Sequence, residues 1–145
     1  MDKTFPVEIV SPVRRVWEGP AIQLIATTED RGEIGILANH VPLIAKLSKS
    51  GTAEVVAPDG HRQIMAVSDG FISVTSTGAA IIAPYVKLRA DINGDQARRR
   101  KRELEKQREA GDNSPATEMA YQRVCAQVKA ADHSEKASPH SPRTQ

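Results

Sequence analysis

The chain has 145 residues, 39% of them hydrophobic and 26% charged, which suits one soluble domain of ordinary size or a small one with an appendage. Aromatics make up 3%, which argues against base-stacking platforms, and the lone cysteine, Cys125, excludes an internal disulfide framework and a multi-cysteine zinc site. The net charge of +2 hides a division: residues 1–92 carry 9 basic and 10 acidic side chains, residues 93–145 carry 11 and 8. No apolar run is long enough to span a bilayer, and the first ten residues lack the pattern of a signal peptide.

The first two thirds read as β-structure. Phe5, Val7 and Ile9 alternate with Pro6 and Glu8, the period of a half-buried strand. Ser11-Pro12 punctuates before a second strand at 13–18, and Gly19-Pro20 is expected to turn the chain into a third at 21–27. Further strands are expected at 52–57, 62–68, 71–76 and 79–84. Their separators, Pro58-Asp59-Gly60, Asp69-Gly70 and Thr77-Gly78, suit tight hairpin turns. Closely spaced short strands predict an antiparallel β-sandwich or barrel over residues 1–90.

Near Asp91 the pattern changes. Residues 93–110 are crowded with helix formers, and Gly111-Asp112-Asn113 ends that helix. Ser114 is a natural N-cap with Pro115 at the first helical position of a second helix, expected to reach about Ala131. Tyr121, Val124, Cys125 and Val128 form its apolar stripe, whereas the first helix offers only Ala97 and Leu104. The expectation is a helical hairpin over residues 91–131 with a meagre seam, mobile unless something holds it. A Ser/Pro/His-rich tail at 132–145 is expected to be disordered.

Catalytic patterns are missing. There is no phosphate-cradling glycine loop, and His40, His61, His133 and His140 are scattered. Ser68-Asp69-Gly70 is better read as a turn than as part of a catalytic motif, and Cys125 as a small buried hydrophobe. Two features stand out. Residues 27–47 combine charged side chains and glycines with Ile34, Ile36 and Leu37, which fits either an ordinary connection containing a short strand or a protruding contact loop. The run Arg98-Arg99-Arg100-Lys101-Arg102, followed by Lys106 and Arg108, is opposed only by Glu103, Glu105 and Glu109. Pairs such as Lys101–Glu105 and Glu105–Arg108 contribute ~0.3 kcal/mol each, so the helix asks for a polyanionic partner.

The stretch Gly32-Glu33-Ile34-Gly35-Ile36-Leu37-Ala38-Asn39-His40-Val41-Pro42-Leu43 resembles the signature G-E-[LI]-G-[IV]-x-x-x-H-x-P-[LF] of the epsilon subunit of bacterial rotary ATP synthases. Residues 7–12 and 67–74 resemble the family's opening strand and its glycine hairpin, with Ser68-Asp69 where glycines are commoner. The resemblance runs from Phe5 to about Arg98 and implies a β-sandwich followed by a regulatory helical hairpin. It also implies a non-catalytic central-stalk subunit that sits against the gamma subunit and docks on the c-ring, helping proton flow drive ATP synthesis. Glu33, Ile36 and His40 would face the ring. Arg98, Arg99, Arg100, Lys101, Arg102 and Arg108 would lie on the helix that meets an acidic segment of the beta subunit and restrains ATP hydrolysis. The implied place is the cytoplasmic face of the bacterial cell membrane, peripheral and held only through the complex.

In several relatives the first helix opens with an ATP-binding [IL]-D-x-x-R-A motif. Here the matching residues are Ile92-Asn93-Gly94-Asp95-Gln96-Ala97, without the carboxylate and the guanidinium, and the second helix offers only Arg123. Nucleotide binding is therefore expected to be weak or absent, and no cofactor is expected. The alternative reading is a nucleic-acid-binding β-barrel with a basic helix, opposed by the sheet's net charge of −1 and its few aromatics. A small β-sandwich enzyme is a third reading, without any assembled catalytic group.

Overall fold

The structure is a computed structural model that describes residues 3–137. Ten strands form two five-stranded sheets that face each other, and two helices follow. The strands are β1 (Phe5–Ser11), β2 (Arg14–Ala21), β3 (Gln23–Thr28), β4 (Gly32–Ile36) and β5 (Leu43–Lys46). They continue with β6 (Gly51–Val56), β7 (Arg62–Ser68), β8 (Phe71–Val74), β9 (Ala79–Ile82) and β10 (Tyr85–Leu88). The first sheet has the order β2-β1-β9-β8-β5 and the second β10-β7-β6-β3-β4. All pairs are antiparallel except β1 with β9, which run parallel. The sheets are open and separate, so the architecture is a sandwich and not a closed barrel.

Inward-pointing side chains alternate along each strand and fill the space between the sheets. Val7, Ile9, Leu24, Ile36, Val55, Met65, Ile72 and Ile81 are all buried there. Two of the expected turns need correction. Gly19-Pro20 does not turn the chain but lies within β2, opposite Val7 and Pro6. Because β2 is an edge strand, a proline there removes no ladder hydrogen bond that the sheet needs. Pro58-Asp59-Gly60 and Thr77-Gly78 do close hairpins, β6 to β7 and β8 to β9. Asp69-Gly70 instead carries the chain from the second sheet to the first. Gly70 has φ +93°, and a Cβ there would collide with the Ile82 carbonyl and Ala83, so only glycine fits this crossing.

Helix α1 (Gly94–Glu109) follows a 3₁₀ turn at Arg89–Asp91, and α2 (Pro115–Ala137) returns antiparallel to it. Asn93 caps α1 by accepting the Gln96 amide at 3.0 Å, and Ser114 Oγ accepts the Thr117 amide at 3.3 Å at the start of α2. The helix continues six residues beyond Ala131, so the expected tail is helical from Asp132 to Ala137; residues 138–145 lie outside the described part. The seam between the helices is small, with Ala97, Leu104 and Val124 buried and Tyr121 and Val128 packed around them. Cys125 is half-buried beside this seam.

What holds the hairpin is the second sheet. Ala126 and Ala130 of α2 are fully buried against Ile64 and Ala66 of β7, with Tyr85 and Ile92 alongside. Alanines let the helix approach the strands closely, and α1 reaches the sandwich chiefly through α2. One sheet is thereby covered by the hairpin. The outer face of the other is open.

Candidate functional site

The segment at 27–47 contains the short strand that the first of its two readings anticipated. Residues 32–36 form strand β4, paired with β3, and residues 37–42 make the connection to β5 in the other sheet. Asn39 adopts φ +69°, a conformation that asparagine tolerates better than most residues, and His40 donates its amide to the Leu37 carbonyl at 3.2 Å. The His40 ring uses Nδ1 to donate to the Val41 carbonyl at 2.7 Å. Glu33 is exposed on β4. Ile36 differs from its expected place: it is 1% exposed and belongs to the sandwich core. On a pleated strand successive side chains face opposite ways, and Ile36 falls on the inner one. The exposed apolar side chains of this region are Leu37 and Val41.

A larger apolar surface lies on the outer face of the first sheet. Ile44, Phe71 and Ile82 are exposed by 75%, 52% and 56%. Register puts Phe71 opposite Ile82 across β8 and β9, and Ile44 opposite Ser73 across β5 and β8, so all three point away from the core. Lys46 stands 5.6 Å from the Phe71 ring centre and is paired with Asp69. Hydrogen bonding to Asp69 raises the Lys46 ammonium above its usual value, and the same bond lowers the Asp69 carboxyl. The pair ties β5 to the crossing at Gly70 beside this surface.

The basic helix is partly committed to its own hairpin. Arg98 donates to Asp95 at 3.1 Å and to Asp132 at 3.0 Å. Arg108 meets Glu118 at 3.2 Å and lies 4.0 Å from the Tyr121 ring centre. Arg100 pairs with Glu103 at 3.4 Å, while Arg99, Lys101 and Arg102 make no ion pair among the described residues. The pairs expected along α1 give way to these, because Glu105 accepts instead from the Tyr121 hydroxyl at 3.3 Å. A cleft of about 590 Å³ opens between α1, α2 and β10, with Lys87, Arg99, Arg100 and Arg123 opposed by Asp91 and Glu103. Asn93 and Gln96 lie at its edge, and the Asn93 amide oxygen is already occupied as the helix cap.

No group of three or more metal-binding side chains is present among the described residues. Among them, too, no helix is long and apolar enough to cross a membrane. Sequence reasoning missed the open face around Phe71 and Ile82 because each residue ends or begins a short strand, where burial cannot be read from alternation. It also missed the contacts of Glu54 with Arg62 and His133, which join residues distant in sequence.

Fold and surfaces together define a two-sheet β-sandwich carrying a basic helical hairpin. Residues 4–87 match the family model described as ATP synthase, Delta/Epsilon chain, beta-sandwich domain. The chain is 37% identical over 124 residues to the ATP synthase epsilon chain of Dichelobacter nodosus, covering 86% of this chain and 82% of that one. It is 31% identical over 134 residues to the ATP synthase epsilon chain of Caldanaerobacter subterraneus subsp. tengcongensis, covering 90% and 96%. A chain in the structure of Euglena gracilis mitochondrial ATP synthase with OSCP, F1 and the c-ring shares the fold. Its TM-score is 0.71 at 16% identity, over 91% of this chain and 81% of that one. The chain belongs to the ATP synthase epsilon chain family.

Proposed function

We propose that the chain is a non-catalytic central-stalk subunit of a bacterial proton-driven rotary ATP synthase, with the sandwich as its assembly module and the hairpin as its regulatory one. The observation that carries this reading is the asymmetry of the sandwich. One sheet is covered by α2, while the other exposes Ile44, Phe71 and Ile82 on its outer face. Exposed apolar surface of this kind is removed from water by a protein partner, and the gamma subunit is the partner that family membership supplies.

The connection at 37–42 sits next to β5, at the edge of that sheet. Glu33 and His40, with the exposed Leu37 and Val41, are proposed to meet the polar loops of the c-ring, and Ile36 to support them from the core. The cations Arg99, Lys101 and Arg102 are proposed to meet an acidic segment of the beta subunit. Arg98 and Arg108 must first exchange their partners within the hairpin. The proposed place is the cytoplasmic face of the cell membrane, through the complex.

Co-purification tests the assembly. The tagged chain should retain gamma from its own organism in equal amounts, and Phe71→Glu with Ile82→Glu should abolish this without unfolding the chain. Salt-sensitive binding of nonspecific DNA with no retention of gamma would instead favour the nucleic-acid reading.

A further inference from the structure

Glu54 is a carboxylate where the fold would otherwise place a solvent-facing residue. On β6 it lies between Ala53 and Val55 and points to the outer face of the second sheet, beneath α2. It is 2% exposed. Burying a carboxylate is costly unless its oxygens are paired. Arg62, the neighbour on β7, holds one oxygen, and His133 Nε2 of α2 lies 3.2 Å from the other. Arg62 belongs to the sandwich and stays whatever the hairpin does. His133 does not.

Two further contacts fall in the same turn and a half of α2. Lys129 Nζ donates to the Ser50 carbonyl at 2.7 Å, and Asp132 accepts from Arg98 at 3.0 Å. The segment from Lys129 to His133 thus reaches the β5–β6 connection, α1 and β6 at once. The apolar contact it supplements is small, with Ala126 and Ala130 set against Ile64 and Ala66 and with Tyr85 and Ile92 at its side. A docking interface with so little apolar area depends on its polar contacts to decide between docked and released helices.

We propose that Glu54 and His133 form a latch that holds the C-terminal half of α2 on the sandwich and so keeps the hairpin closed. The latch concerns this chain alone and stands or falls independently of the stalk reading. With α2 released, water can reach the Glu54 carboxylate and replace His133. With α2 docked, water is excluded and His133 completes the pairing. The helix end that sequence patterning assigned to a tail is therefore the part that fixes the hairpin.

Native-state hydrogen exchange of the full chain tests the latch, with His133→Ala, Glu54→Gln and the double variant beside the parent. The expected result for His133→Ala is exchange of α2 amides at 120–133 faster by about tenfold or more, with the β6–β7 ladder within twofold of the parent. Glu54→Gln should do the same to α2, and the double variant should exceed neither single by more than about twofold, because both remove one interaction. If Glu54→Gln also loosens β6 and β7, the His133→Ala comparison decides. Unchanged α2 protection in His133→Ala overturns the latch, as do effects of the two single changes that multiply in the double variant.

Discussion

Arg98 Nη1 lies 3.0 Å from Asp132 Oδ1, joining the start of α1 to the far end of α2. The same guanidinium holds Asp95, so a residue of the basic run is spent on closing the hairpin rather than on an outside partner. Hydrogen bonding to Asp95 comes first among the influences that raise the Arg98 pKa above its usual value. Opening the hairpin would free this cation, which couples closure to the charge available for an acidic surface.

Arg98→Ala should therefore speed hydrogen exchange in α1 and in the last turns of α2 while leaving the sandwich untouched. Raising salt should do the same to the parent and less to the variant, since the Debye length falls from ~10 Å at 0.1 M to ~3 Å at 1 M. Equal salt sensitivity in both proteins would show that the pair contributes nothing.

Ile36→Ala should act on stability. Removing a fully buried isoleucine side chain leaves a cavity between the sheets and should cost about 2–5 kcal/mol in thermal or urea unfolding. Leu37→Ala and Val41→Ala, both exposed, should change stability by roughly 0.5 kcal/mol or less. Those two changes should instead weaken ATP-driven proton pumping by the assembled complex. Parental pumping with both in place would count against residues 37–42 as a ring contact.

Glu54 gives a sign for pH. Burial pushes its carboxyl up, but the hydrogen bonds from His133 and Arg62, with their charges, outweigh burial and hold it below the usual value. A carboxyl depressed in the docked state contributes stability that is complete above its ordinary range and is lost as pH falls through the docked value. Amide spectra recorded from pH 7 downward should show α2 released in acid before the β-ladder changes. In Glu54→Gln, α2 should already be loosened at pH 7 and should respond less to acid than in the parent.

Asn93→Ala should weaken the hairpin by about 1 kcal/mol, because it removes the side chain that accepts the Gln96 amide. Asn93→Asp should keep the cap. Neither protein nor parent should bind ATP saturably in calorimetry at millimolar nucleotide, since Gln96 brings no guanidinium to the cleft edge. A micromolar dissociation constant for the parent would show that Lys87, Arg99, Arg100 and Arg123 suffice.

The sandwich was legible because alternation along Phe5, Val7 and Ile9 and along later strands reports one buried face directly. Strands β5 and β10 were not, because Leu43, Ile44 and Ala45 continue an apolar run with no period, and Tyr85–Leu88 is half-buried throughout. The parallel pairing of β1 with β9 brings together strands from the beginning and the end of the sandwich's sequence, and no local pattern encodes it. Docking of α2 was hidden by its alanines. Ala126 and Ala130 are ordinary helix formers on any surface and become core only once Ile64 and Ala66 lie beneath them. The candidate site was legible where a spaced motif marks residues 32–43, but the motif does not tell an inward Ile36 from an outward Leu37.

The stalk reading is tested most directly by adding the purified chain back to ATP synthase from its own organism that has been stripped of the epsilon subunit. The readout is ATP-driven proton pumping in inverted membrane vesicles, with bound ATP hydrolysis measured beside it. The account predicts that the full chain restores pumping and restrains hydrolysis. A chain ending at Ile92 should restore pumping but leave hydrolysis faster, because the sandwich binds without its hairpin. A full chain that fails to bind the stripped complex, or binds without restoring pumping, would contradict the account.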